Sequence, residues 1–119
     1  AGIAAPALFE AVSAEAAKKM PKFNARELSC LAWSFATAGH ATPALFGAIA
    51  AQAAEKTATF DARELTGTVW SFATARVEAP ALFEKVASES SRKIATFKPQ
   101  ELSNVVWAYA TAGVSAPAL

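Results

Sequence analysis

Three lysines stand in register at Lys19, Lys56 and Lys93, each 37 residues from the next. Lys18 and Arg92 flank two of them, and Arg26 and Arg63 follow a few residues on. Cations at a constant period suit a partner with a polyphosphate backbone. Three tryptophans keep the same period at Trp33, Trp70 and Trp107, and aromatic faces at intervals make a stacking platform for unpaired bases. Between cations and indoles lies a position that changes from unit to unit: Cys30, Gly67 and Asn104. A variable side chain on a constant frame suits a helical-repeat reader that makes one residue choice per bound nucleotide. Gln100 is the register mate of Arg26 and Arg63. The candidate RNA-contacting set is therefore Lys19, Arg26, Cys30, Lys56, Arg63, Gly67, Lys93, Gln100 and Asn104.

Each feature also has a plainer reading. Lysines collect at helix C-termini because the dipole favours them there, and an acidic column, Glu27, Glu64 and Glu101, runs beside the basic one. Small residues let helices approach, and Ser and Thr can bond back to their own helix. The indoles can fill the joints between units; large aromatics dominate core energetics, so this reading is preferred over a base ladder. Trp33, Trp70 and Trp107 are accordingly grouped with Phe23, Phe60 and Phe97 as structural core. His40 has no His, Asp or Cys at ligand spacing, which argues against a metal site. No glycine-rich phosphate loop, nucleophile elbow or carboxylate pair occurs. The expectation is a binding protein, not an enzyme, with no cofactor and no small-molecule substrate.

These residues need elements to position them. Pro6, Pro43, Pro80 and Pro117 mark the same 37-residue period, without insertions. Internal repetition of this length signals stacked supersecondary units. Within each unit the pattern predicts two helices. Helix A runs from Pro6 to Met20, with proline at the first helical position and Leu8, Phe9, Val12 and Ala16 as its buried stripe. Helix B follows Phe23, with Asn24 and Glu27 as a capping box and Phe23 stapled to Leu28. Asp61, Glu64, Phe60 and Leu65 repeat the device, whereas Lys98 stands at the cap of the third unit. Gly39 and Gly113 end helix B, and Arg76 holds that place in unit two, where a left-handed exit disfavours it. The fold expected is all-α: an α-solenoid of stacked hairpins, repeats 6–42, 43–79 and 80–116, with partial units at both ends. Since the chain opens on the tail of one unit and closes on the head of another, a window from a longer array is expected.

Composition fits this. Of the 119 residues, 54% are hydrophobic and 18% charged, with net charge +1, which allows a packed domain but lacks the basic excess typical of nucleic-acid binders. Residues 28–54 contain no Asp, Glu, Lys or Arg. Their length would suit a membrane span, but "GHATP" interrupts them and the matching stretches carry Arg76, Glu78, Glu84 and Lys85. No membrane insertion is expected. Cys30 is the sole cysteine, so no internal disulfide is possible.

The motif "FNARELSCLAWSFATAG", its echoes "FDARELTGTVWSFATAR" and "FKPQELSNVVWAYATAG", and the recurring "PALF" resemble the octotricopeptide repeats, and more closely their 37-residue heptatricopeptide variant. That resemblance spans essentially the whole chain. It implies an α-solenoid of mitochondria or chloroplasts that binds organellar RNA in stabilisation, processing or translation, in some cases associated with ribosomes. It also implies Cys30, Gly67 and Asn104 as repeat-specific positions. The alternative is a structural subunit that docks on protein partners within a large organellar assembly.

Overall fold

The computed structural model describes residues 5–113. Six helices follow one another: α1 (Pro6–Lys19), α2 (Ala25–Ala38), α3 (Pro43–Lys56), α4 (Ala62–Ala75), α5 (Pro80–Arg92) and α6 (Pro99–Ala112). A 3-10 turn joins the helices of each hairpin, at Met20–Lys22, Thr57–Thr59 and Ile94–Thr96. The first helix thus ends one residue before the expected Met20, which instead opens the turn. No strand occurs among the described residues. The expected partial units lie outside those residues except for Ala5, which precedes α1.

Local chemistry sets the helix ends. Asn24 accepts from the Glu27 amide at 2.8 Å while Glu27 Oε1 accepts from the Asn24 amide at 3.0 Å. Asp61 and Glu64 repeat both distances. Two otherwise orphaned amides are satisfied reciprocally at each start. At Lys98 only the returning half persists, from the Lys98 amide to Glu101 at 2.8 Å, because an ammonium has no lone pair to offer. Gly39 ends α2 at φ 75°, and the His40 amide bonds back to the Phe35 carbonyl. Arg76 takes the same left-handed conformation at φ 59°, with Val77 bonding back to Phe72. The exit keeps its shape in unit two, and the arginine bears the steric cost of a Cβ there.

The helices form two layers. In the first, α2 packs on α4 and α4 on α6; in the second, α1 packs on α3 and α3 on α5. Contacts of α2 with α3 and of α4 with α5 tie successive hairpins together, which is the packing of a helical-repeat solenoid. One aromatic pair recurs within each hairpin: Phe9 with Phe35, Phe46 with Phe72, and Phe83 with Tyr109, at centroid distances of 5.2, 4.7 and 5.0 Å. In the third pair Tyr109 donates its hydroxyl to the Phe83 carbonyl at 2.6 Å.

The expected stripe of the A helices is buried where another hairpin precedes it. Leu45, Phe46, Ile49 and Ala53 are buried on α3, as are Leu82, Phe83 and Val86 on α5. On α1, Ala16 is buried, Phe9 partly so, and Leu8 and Val12 are exposed. Phe60 and Phe97 are buried and Phe23 is half-buried.

Candidate nucleic-acid interface

The B helices have one edge that the A-helix layer does not cover. Arg26, Cys30, Trp33 and Thr37 are all exposed on α2, at a spacing that aligns them on one stripe. On α4 the same stripe is Arg63, Gly67, Trp70 and Thr74; on α6 it is Gln100, Asn104, Trp107 and Thr111. Because the B helices stack directly, the three stripes lie side by side.

The tryptophans need a correction. They were expected to be buried in the joints, yet Trp33 is 50% and Trp107 46% exposed. Trp70, flanked by both other B helices, is half-buried and lies 6.3 Å from Trp107 between ring centroids, tilted by 32°. The joints are filled instead by Leu28, Ala32, Leu65, Val69 and Val105, all essentially inaccessible. The indoles cap these joints from outside because Trp33 is one residue beyond Ala32, about 100° around the helix.

The lysine column is also reassigned. Lys56 Nζ donates to the carbonyls of Pro21 and Phe23, at 2.9 and 2.6 Å, in the turn of the preceding hairpin. Lys93 repeats the contact with Ala58 and Phe60 at 2.9 and 2.6 Å, and is also paired with Glu89 at 3.3 Å. Two of the three candidate phosphate contacts are therefore inter-repeat clamps. Lys19 is exposed and pairs with Glu15 at 3.1 Å. The acidic column is likewise engaged in capping, so Glu27, Glu64 and Glu101 point their carboxylates at helix N-termini, where backbone amides and the dipole offset negative charge. Arg26 and Arg63 stay exposed and take part in none of the ion pairs seen among the described residues.

The variable position divides. Cys30 is exposed, with Sγ 4.0 Å from Ser34 Oγ, while Gly67 and Asn104 are part-buried. A Cβ on Gly67 would come within 3.1 Å of Ser29 Oγ on α2, so close packing alone favours a small residue there. Ser71 donates back to the Gly67 carbonyl at 2.6 Å, the intrahelical bond expected of a small polar stripe. His40 stacks on Phe9 with ring centroids 4.3 Å apart. Among the described residues no three His, Cys, Asp or Glu side chains converge as a metal site, and no helix is long and apolar enough to cross a membrane.

The architecture is that of a helical-repeat solenoid, with an Arg–variable–Trp–Thr stripe along one edge in two units and Gln100 in place of the arginine in the third. The family model that matches is that of the RNA-editing substrate-binding complex 6 proteins (RESC6), over residues 1–116. The chain belongs to that family. The expected resemblance to octotricopeptide repeats is met at the level of the helical architecture, and the family shown is RESC6. No curated protein matched the sequence.

Proposed function

We propose that this segment supplies a single-stranded RNA-contacting surface to an RNA-editing substrate-binding assembly. The observation that carries it is the column of Trp33, Trp70 and Trp107, held in register on an uncovered edge. Exposed indoles give up water-excluding area in the folded chain, and unpaired bases recover it by stacking, at about 1–3 kcal/mol per base. Arg26 and Arg63, on the same stripes, supply the charge that meets phosphates, with guanidinium planes that also stack on bases. The family's name points to RNA-editing substrates, and the repeat resemblance points to a mitochondrion or chloroplast. The reading is of a binding module without a catalytic role.

Binding of a single-stranded oligonucleotide at several salt concentrations tests this. Log affinity falls linearly with log salt, with a slope of about −0.7 per phosphate neutralised. Replacing all three tryptophans by alanine weakens binding at every salt concentration. A flat salt dependence, or a triple variant that binds as the parent does, removes the proposal.

A further inference from the structure

The two internal seams between B helices share a packing pattern and differ in chemistry. At the α2–α4 seam the variable position is Gly67, where an added Cβ would meet Ser29 Oγ at 3.1 Å. By the register of the repeats, the same contact at the α4–α6 seam falls between Asn104 and Thr66. Asn104 is part-buried there. Thr66 is 4% exposed, and its Oγ1 has no hydrogen-bond partner. Buried hydroxyls are ordinarily paired, so this seam holds a polar atom with capacity to spare.

Trp70 and Trp107 face each other across the same seam, with ring centroids 6.3 Å apart and planes inclined by 32°. Trp70 is only half-buried although a B helix packs on either side of α4. Its accessible part therefore belongs to the interior of the array and not to an end of it. A flat ring held between two others needs about 7 Å between them, two van der Waals contacts of about 3.5 Å each. The indole pair is short of that by less than about 1 Å, and its inclined planes form a wedge. A small rotation of the Trp107 ring opens it. Arg63, exposed one turn before Gly67 on α4, takes part in none of the ion pairs seen among the described residues.

We propose that the α4–α6 seam holds one unpaired adenine, with its ring between Trp70 and Trp107 and its edge read by Asn104. A carboxamide carries an acceptor beside a donor, which matches the 6-amino group and the neighbouring ring nitrogen of adenine in a bidentate pair. Asn104 Nδ2 donates its second hydrogen to Thr66 Oγ1, which fixes the direction the carboxamide faces. A bicyclic purine also covers both indoles more fully than a pyrimidine does. Arg63 supplies charge for the phosphate. Gly67 has no side chain to read with, so the α2–α4 seam stacks a base without identifying it. This inference rests on the RNA reading proposed above, and adds which base is held and by which residues.

Affinities of the chain for two short single-stranded RNA oligomers test it, one of adenosine and one of purine riboside, which lacks only the 6-amino group. The two bases stack alike, so the ratio of affinities measures the edge contact. The parent binds the adenosine oligomer about tenfold more tightly. Asn104→Ala brings the ratio close to one, and Thr66→Val, which cannot accept the orienting hydrogen, lowers it as well. Circular dichroism verifies that the variants fold. Trp107→Ala weakens binding of the adenosine oligomer by about tenfold. Equal affinity of the parent for the two oligomers overturns the inference, and so does a ratio that survives Asn104→Ala or Thr66→Val. Both outcomes leave the RNA reading standing, because binding itself persists. A Trp107→Ala variant that binds adenosine as the parent does overturns the clamp, and a parent that binds neither oligomer overturns this inference and the RNA reading together.

Discussion

Lys56 crosses a repeat boundary to reach Phe23, its Nζ lying 2.6 Å from the carbonyl oxygen, and Lys93 does the same to Phe60. The identical distance at two boundaries makes this a built-in joint. A 3-10 turn leaves carbonyls without helical partners, and a lysine one repeat later satisfies two of them at once. Charge at this position therefore serves folding before it serves any ligand.

Lys56→Met removes both bonds while keeping the side chain's length and apolar stem. The site is partly exposed, so the loss belongs at the low end for charged hydrogen bonds, about 1–2 kcal/mol. Urea unfolding measures it. Lys56→Arg does not rescue fully, because a planar guanidinium cannot reproduce the approach of an ammonium to two carbonyls. Unchanged stability in Lys56→Met would show the clamp to be incidental.

Arg76→Gly stabilises the chain by about 1 kcal/mol, the strain of a left-handed residue with a Cβ. The reverse change at Gly39, to Ala, destabilises by a similar amount although nothing lies within 4 Å of the added Cβ. The cost there is torsional, at φ +75°, and thermal melts of the two variants should move in opposite directions.

Trp70→Ala costs about 1–2 kcal/mol in place of the 3–5 kcal/mol of a fully buried tryptophan, since the ring is half-buried. Trp33→Ala costs less again. Equal and large losses at both positions would place the indoles in the core after all.

Burial pushes the Tyr109 phenol well above its ordinary value of 10.0. A group whose pKa is raised in the folded state contributes fully below its unfolded pKa and loses that contribution as pH climbs toward the folded one. Stability therefore holds up to about pH 10 and declines beyond it. Tyr109→Phe removes that alkaline decline and, by leaving the Phe83 carbonyl without its donor, lowers stability at neutral pH by about 1–2 kcal/mol. Urea midpoints from pH 8 to 11 for both proteins measure the two effects.

The architecture was legible in the sequence because each of its determinants is local and repeated. Proline at the first helical position, the Asn24–Glu27 and Asp61–Glu64 boxes and the glycines at 39 and 113 mark the helix ends directly. Burial of the tryptophans is not legible in the sequence, because one step along a helix is a 100° turn. Trp33 sits next to the buried Ala32, and hydrophobicity alone does not reveal which side of that step faces the joint. The lysine clamp was hidden for a different reason. Its acceptors are backbone carbonyls, which every sequence has, and they lie 33 and 35 residues away. Only the constant period of Lys19, Lys56 and Lys93 pointed to it, and a phosphate track gives the same period.

The exposed tryptophan edge is tested most directly by intrinsic fluorescence. Because Trp33, Trp70 and Trp107 are the chain's three tryptophans, titration with single-stranded RNA reports on that edge without a label. Stacked bases quench the emission in a saturable curve that shifts to higher RNA concentration as salt is raised, and Arg26→Ala with Arg63→Ala reduces the salt slope by about one to two phosphates' worth. Emission that stays constant throughout the titration, with binding absent or unrelated to these three residues, would contradict an RNA-contacting role for this edge.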